Sequence, residues 1–163
     1  MTPVAIALGS NIGDRETTLR AALDAVAPFI HNLRTSSFHQ TEPVDMPGSP
    51  APFLNAAAVG ETDLPASALL GRLLAIEQDF GRTRPHPGAS RTLDLDLILY
   101  GSDVISEPPR LLVPHPRFRE RAFVLAPLAE VAGDWTDPVT GLTVSTLLGR
   151  LDDGHGRPLA DLP

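Results

Sequence analysis

The chain has 163 residues, 42% of them hydrophobic, with a formal net charge of −7 and no cysteine. This length and hydrophobic content predict one folded domain over residues 1–163. The absence of cysteine excludes disulfides, thiolate metal sites and a cysteine nucleophile. The acidic balance argues against nucleic acid as a partner, and no apolar run approaches the roughly 20 residues of a membrane helix. The start of the chain lacks the basic segment of a signal peptide, so a cytoplasmic location is expected. The protein is also expected to be a monomer.

Hydrophobic periodicity predicts the elements in chain order. They are a strand at 4–8, a helix from about 14, strands at 33–40 and 53–59, a helix at 65–80, a strand at 92–100, a hairpin around 104 and 111–113, a helix at 121–131 that Pro127 bends or shortens, and a short helix at 143–151. Loops rich in proline or glycine are expected at 41–52 and 82–90, and a loose tail from about 152.

The order strand, helix, strand, strand, helix, strand is typical of the ferredoxin-like fold, an α+β class. We therefore expect an antiparallel sheet with helices packed on one face. The C-terminal additions would extend it to a three-layer α-β-α arrangement.

The predicted strand at 92–100 carries the chemistry. Side chains alternate along a strand, so Asp94 and Asp96 share one face while Leu93, Leu95, Leu97 and Leu99 share the other. Two carboxylates on a buried strand need a positive partner. Such a pair suits Mg²⁺, which takes one or two carboxylates and completes its shell with phosphate oxygens and water. The alternative is a structural Asp–Arg network.

The basic residues also indicate phosphate. All 13 are arginine, and seven of them lie between residues 82 and 121 (Arg82, Arg84, Arg91, Arg110, Arg117, Arg119 and Arg121). Arginine is the residue suited to bidentate phosphate recognition. A local arginine cluster on an acidic chain predicts a small phosphorylated ligand rather than a polymer.

Four weaker signals each allow more than one interpretation. A turn is the preferred interpretation of residues 9–13, because their spacing matches no phosphate-loop pattern, and a ligand loop is the alternative. Glu77 either orients an arginine, accepts from a ligand hydroxyl or is an ordinary acid at a helix end. His115, between two prolines, is a candidate hydrogen-bond donor to a phosphate, whereas the other four histidines have no comparable setting. Phe53 and Phe123 could sandwich a flat ring beside the Asn55 amide, although each phenylalanine alone is more often core.

Together these segments resemble the 6-hydroxymethyl-7,8-dihydropterin pyrophosphokinase family of folate biosynthesis. The matching pieces, in the family's order, are Ala7-Leu-Gly-Ser-Asn11, Phe53-Leu-Asn-Ala-Ala57, Glu77 with Gly81-Arg-Thr-Arg84, Arg91-Thr-Leu-Asp-Leu-Asp96, Val113-Pro-His115 and Arg121-Ala-Phe123. Two departures are the absence of a tryptophan in the 86–90 stretch and Phe53 where tyrosine is frequent.

The resemblance implies a role for each matching residue. Asp94 and Asp96 would hold two Mg²⁺ ions on the triphosphate of ATP, the co-substrate. ATP would be contacted by Arg82, Arg84, Arg91, Arg110, His115 and Arg121, and its nucleoside by Glu77 and backbone near Ile98 and Leu111. The catalytic set would be Arg82, Arg84, Arg91, Asp94 and Asp96. The pterin would be bound by Phe53, Asn55 and Phe123 with Thr41, Pro43 and Val44 of the adjoining loop.

The implied reaction transfers pyrophosphate from ATP to the pterin alcohol and releases AMP. Two other functions remain open from the residues themselves. One is a magnesium-dependent nucleotide-sugar transferase that uses the same aspartate pair, and the other is a non-catalytic ferredoxin-like module that binds a nucleotide.

Overall fold

The computed structural model describes residues 1–11, 14–41, 53–81 and 93–154. It contains seven strands and four α-helices within those ranges. The strands are β1 (Thr2–Ser10), β2 (His31–Thr35), β3 (His39–Thr41), β4 (Phe53–Thr62), β5 (Leu93–Tyr100), β6 (Ile105–Glu107) and β7 (Leu111–Val113). The helices are α1 (Arg15–Val26), α2 (Ala66–Gly81), α3 (Ala122–Ala132) and α4 (Val144–Gly154), with a short 3-10 helix at Phe118–Glu120.

The main sheet is antiparallel and has the strand order β2-β4-β1-β5, with β3 also pairing to β4. This is the ferredoxin-like order, so the predicted α+β class is confirmed. The predicted strand at 33–40 is two strands in the structure. They are separated at Ser36, whose backbone N–H donates to the Ala57 carbonyl while its hydroxyl accepts from the Ala57 N–H, at 2.9 Å each.

Helices cover both faces of the sheet. Leu19, Leu69 and Leu73 of α1 and α2 pack with alternate residues of β1 and β5 in one core. Leu125 and Leu128 of α3 lie in a second core on the opposite face, which α4 also joins. The predicted three-layer arrangement is confirmed. The strand order predicted helices on one face, and α1 and α2 lie there, while α3 and α4 form the third layer.

A bulge in β5 corrects one prediction about its faces. Leu97 pairs with Ile6 and Leu99 pairs with Ala5, so Ile98 is an extra residue between two consecutive pairs. Leu93, Leu95 and Leu97 therefore face the α1–α2 core, but Leu99 faces the α3–α4 core. The expectation that Leu99 shares the face of the other leucines is wrong, because an extra residue reverses the alternation beyond it.

The remaining elements agree with the periodicity to within a few residues. The hairpin is formed by β6 and β7. Pro127 is buried inside α3, which still spans 11 residues, so the helix is not shortened. None of the helices in the described ranges is long and apolar enough to cross a membrane. The predictions are wrong for Thr41 of the loop at 41–52, which belongs to β3, and for residues 152–154 of the tail, which belong to α4. The rest of that loop, the loop at 82–90 and the tail from 155 lie outside the described residues.

Candidate functional site

One transverse row of residues crosses four strands at one end of the sheet. Gly9 of β1 pairs with Asn55 on one side and with Asp94 on the other, and Asn55 pairs with His39 of β3. Residues directly opposite each other in neighbouring strands share a face. The row therefore runs from His39 through Asn55 and Gly9 to Asp94 on the face that α3 packs against.

The next row places the second carboxylate on the same face. Asp96 pairs with Ala7, and Ala7 pairs with Ala57. Asp94 is exposed and Asp96 half-buried, whereas the leucines between and beside them are buried. The expectation of a buried strand is thus wrong for the face that carries the aspartates. The predicted common face of Asp94 and Asp96 is confirmed.

Glu77 joins this region from the last turns of α2. Its Oε2 accepts a hydrogen bond of 2.6 Å from the backbone N–H of Leu95, the residue between the two aspartates. β5 is an edge strand, so this N–H points away from β1 and Glu77 satisfies it. Partial burial raises the pKa of Glu77. The hydrogen bond from Leu95 opposes this rise, and repulsion from Asp94 and Asp96 adds to it. This backbone contact was absent from the predicted roles of Glu77.

His115 lies beside the part of β5 that follows the aspartates. Its backbone N–H donates to the Ile98 carbonyl at 3.0 Å, and its Nδ1 accepts from the backbone N–H of Arg117 at 3.2 Å. Burial lowers the pKa of His115, the charges of Arg121 and Arg117 lower it further, and Asp96 opposes them. The neutral ring is therefore favoured, and because Nδ1 is an acceptor, the proton lies on Nε2.

The arginines of the cluster have different settings. Arg121 precedes α3, with its guanidinium 5.7 Å from the Phe123 ring centroid, and Arg110 is exposed in the turn before β7. Arg119 instead binds the fully buried Asp137 through Nε and Nη2, which makes it a structural residue. The predicted ligands Arg82, Arg84 and Arg91 lie outside the described residues.

Of the predicted ring-binding residues, Phe53 and Asn55 lie on β4 at one end of the row, and Phe123 lies at the start of α3, the helix that packs against β4. Phe53 is half-buried on β4, Asn55 is 5% exposed two residues further on, and Phe123 is 42% exposed in the first turn of α3. Phe53 pairs with Thr41, so the predicted loop leaves β3 beside it. Pro43 and Val44 of that loop lie outside the described residues.

The sequence included Gly9 in a predicted turn or ligand loop but gave it no role of its own in this site. A Cβ at Gly9 would lie 3.0 Å from Asn55 Oδ1 and 3.6 Å from Phe53 Cδ1. Gly9 and Ser10 are part of β1, so the prediction of a turn starting at residue 9 is wrong; residues 12 and 13 are outside the described part. The only available signal was Gly9's place in the Ala7–Asn11 motif, since its close approach to Asn55 depends on pairing 46 residues apart.

Within the ranges the structure describes, no group of three or more histidine, aspartate or glutamate side chains is arranged to hold a metal ion. The two aspartates do offer what a hydrated Mg²⁺ requires. They provide oxygen donors on one face, Asp94 exposed and Asp96 half-buried, beside the small residues Gly9 and Ala7.

Comparison with known proteins assigns the chain to a family. Residues 5–133 match the model of the 7,8-dihydro-6-hydroxymethylpterin-pyrophosphokinase family. The chain is 41% identical over 150 residues to a 2-amino-4-hydroxy-6-hydroxymethyldihydropteridine pyrophosphokinase of Synechocystis, covering 90% of this chain and 75% of that protein. It is 46% identical over 128 residues to the protein of the same name in Bacillus subtilis, covering 77% and 75%.

Longer relatives contain the same domain as one part. The chain is 36% identical to the folic acid synthesis protein fol1 of Pneumocystis carinii, covering 96% of this chain but 21% of that protein. A crystal structure of HPPK-DHPS with substrates superposes with a TM-score of 0.71 at 12% identity, covering 96% of this chain and 45% of that one. At that identity the likeness shows the fold.

Proposed function

The chain belongs to the 7,8-dihydro-6-hydroxymethylpterin-pyrophosphokinase family, and on that premise we propose that it transfers pyrophosphate from ATP to 6-hydroxymethyl-7,8-dihydropterin in folate synthesis. The observation that carries the proposal is the row from Asn55 through Gly9 to Asp94. Neighbouring strands lie about 4.8 Å apart, so the Asn55 and Asp94 backbones are separated by about 10 Å. That spacing suits a ring bound at one end and a phosphate chain held at the other.

Asp94 and Asp96 are the proposed magnesium ligands. Two ions are the number that the family resemblance implies, with phosphate oxygens and water as the other ligands. Bound Mg²⁺ would supply positive charge on the triphosphate. The aspartates contribute orientation, because both project from one rigid strand whose leucine face is buried.

His115, Arg121 and Arg110 are the proposed contacts to the phosphates besides the magnesium ligands. His115 donates from Nε2 without requiring a protonated ring, while Arg121 and Arg110 supply permanent charge. Arg82, Arg84 and Arg91 complete the proposed set from the segment outside the described residues. Donors fixed in advance around a transferring phosphoryl group are a main source of catalysis in such reactions.

The pterin is proposed to stack between Phe53 and Phe123, with Asn55 on the ring edge and Thr41, Pro43 and Val44 closing the pocket. The amide of Asn55 has both a donor and an acceptor for the ring. Glu77 and backbone near Ile98 and Leu111 would line the nucleoside site on the β5 edge.

In the proposed reaction, the pterin hydroxyl oxygen forms a bond to the β-phosphorus of ATP. The bond from that phosphorus to the oxygen bridging the α- and β-phosphates breaks, AMP leaves with this oxygen, and the hydroxyl proton is released. Holding the hydroxyl in line with the leaving oxygen replaces a bimolecular encounter with a fixed geometry.

The test is incubation of the protein with ATP, Mg²⁺ and the reduced pterin alcohol. We expect AMP and the pterin pyrophosphate, with AMP formation dependent on the pterin. Formation of ADP, or no product, contradicts the proposal. The monomeric state, the cytoplasmic location and the lack of nucleic-acid or membrane partners stay predictions from the sequence.

A further inference from the structure

A three-residue cluster joins β3 to α3 next to the proposed pterin pocket. The Glu130 carboxylate accepts from the backbone N–H of Ser37 at 2.8 Å, and Ser37 Oγ lies 2.9 Å from each of its oxygens. His39 Nε2 forms a short hydrogen bond to Glu130 Oε2. We call Ser37, His39 and Glu130 the β3–α3 clamp.

The cluster has the residue types of a hydrolytic triad but the wrong geometry. In a triad, the acid binds one ring nitrogen of the histidine and the hydroxyl binds the other. Here Glu130 and Ser37 Oγ both approach Nε2 of His39, the hydroxyl at 3.3 Å. Ser37 also binds the acid itself, so its hydroxyl is not activated as a nucleophile.

The clamp links chain segments that are more than 90 residues apart. Partial burial raises the pKa of Glu130, but the hydrogen bonds from the Ser37 backbone, His39 and the Ser37 hydroxyl outweigh it and leave the pKa lowered. Glu130 is therefore ionised at neutral pH, and its hydrogen bonds are charge-assisted and correspondingly strong.

Each end of the clamp continues into a wall of the pocket. His39 is opposite Asn55, and two residues later Thr41 is opposite Phe53. On the other side, Glu130 lies seven residues after Phe123 in α3, about two helical turns or 10 Å along the same face of the helix. A movement of α3 relative to β3 would therefore change the gap between Phe123 and the strand residues.

We propose that the β3–α3 clamp sets the separation of the two walls of the pterin pocket and so determines the affinity for the pterin, with Ser37, His39 and Glu130 as positioning residues. The inference rests on the proposed function. It assigns these side chains no contact with ATP, whose proposed site is at the opposite end of the row.

The experiment compares the steady-state constants of Glu130→Ala, Ser37→Ala and the unmodified protein. Loss of a charge-assisted hydrogen bond predicts a rise of about tenfold in KM for the pterin, with the KM for ATP changed less than twofold. Glu130→Gln keeps the shape and an acceptor oxygen, so it should recover part of the pterin affinity. In the double variant Glu130→Ala with Ser37→Ala, the loss of pterin affinity should be smaller than the sum of the two single losses, because both changes break one network.

Asp24→Ala is the control, since Asp24 is an exposed carboxylate of α1, on the other side of the sheet. It should leave both KM values unchanged. A Glu130→Ala protein with an unchanged pterin KM, or with pterin and ATP KM values raised equally, overturns the clamp. If Glu130→Ala does not fold, the same criteria apply to Ser37→Ala and Glu130→Gln. Failure of the proposed function is distinct, because the unmodified protein would then form no pterin-dependent AMP.

Discussion

The two faces of the sheet are built from the same strands but from residues of different size. On β1, Val4, Ile6 and Leu8 face α1 and α2, whereas Ala5 and Ala7, followed by Gly9, face α3. The large residues make a packed core. The small residues project little from the opposite face, where the row from His39 to Asp94 extends beyond the end of α3. One face is thus a core of large side chains, whereas the end of the other face carries the proposed binding site.

Removing a carboxylate from the α3 face should cause the largest effect on activity and little effect on stability. For Asp94→Ala and Asp96→Ala we expect kcat/KM to fall by about a thousandfold, because each variant lacks a proposed ligand of the Mg²⁺ that would stabilise the phosphoryl transfer. Pterin-dependent AMP formation and thermal melting measure the two quantities. Asp24→Ala, an exposed aspartate on α1, is the control. A near-normal rate for either site variant in Mg²⁺ would remove the metal assignment.

A truncation on the α1–α2 face should do the reverse. Leu8 is 2% exposed, so Leu8→Ala should lower the free energy of unfolding by about 3 kcal/mol through the cavity it leaves. Urea unfolding gives this value, and kcat/KM at a temperature where the variant is folded should change less than tenfold. A stable variant with strongly reduced activity would contradict the division between the faces.

Gly9→Ala tests the small residue at the centre of the row. The added Cβ would lie 3.0 Å from Asn55 Oδ1, so Asn55 must shift, and the KM for the pterin should rise by about tenfold, on the order expected for one hydrogen bond to a substrate. Gly71→Ala is the matched control. Its Cβ meets nothing within 4 Å, and in the helix it should raise stability by about 1 kcal/mol with unchanged activity. Equal pterin KM values for the two variants would show that Gly9 is not needed at the pocket.

The smallest expected effect is the titration of His115. Burial first, and then Arg121 and Arg117, place its pKa below the usual 6.5 in the free protein. Because this pKa is lowered, the contribution of His115 to folding stability is complete above pH 6.5. It is lost as the pH falls from 6.5 toward the folded-state pKa. NMR titration of the ring proton should show the low pKa, and ATP should raise it because phosphate favours the charged ring. An unchanged pKa with bound ATP would argue against phosphate contact at His115.

Much of the fold could be predicted because each strand and helix carries its own periodic pattern. The predicted helix at 65–80 is α2 within one residue at either end, and the hairpin is formed by β6 and β7. The break between Thr35 and His39 was missed because the contact there, from the Ala57 N–H to the Ser36 hydroxyl, gives no signal in the local periodicity. The common face of Asp94 and Asp96 was predictable, since two residues apart on a strand always share a face.

Alternation and the order of motifs determined, from the sequence by itself, the strand that carries the aspartates, the family and the class of fold. Tertiary structure alone decided three features: the row from His39 to Asp94, the reversal of Leu99 at the Ile98 bulge and the β3–α3 clamp. The physical reason is the range of the interactions. Side-chain direction within an element is set by neighbouring residues, whereas strand register and the contact between Ser37 and Glu130, 93 residues apart, depend on how complete elements pack.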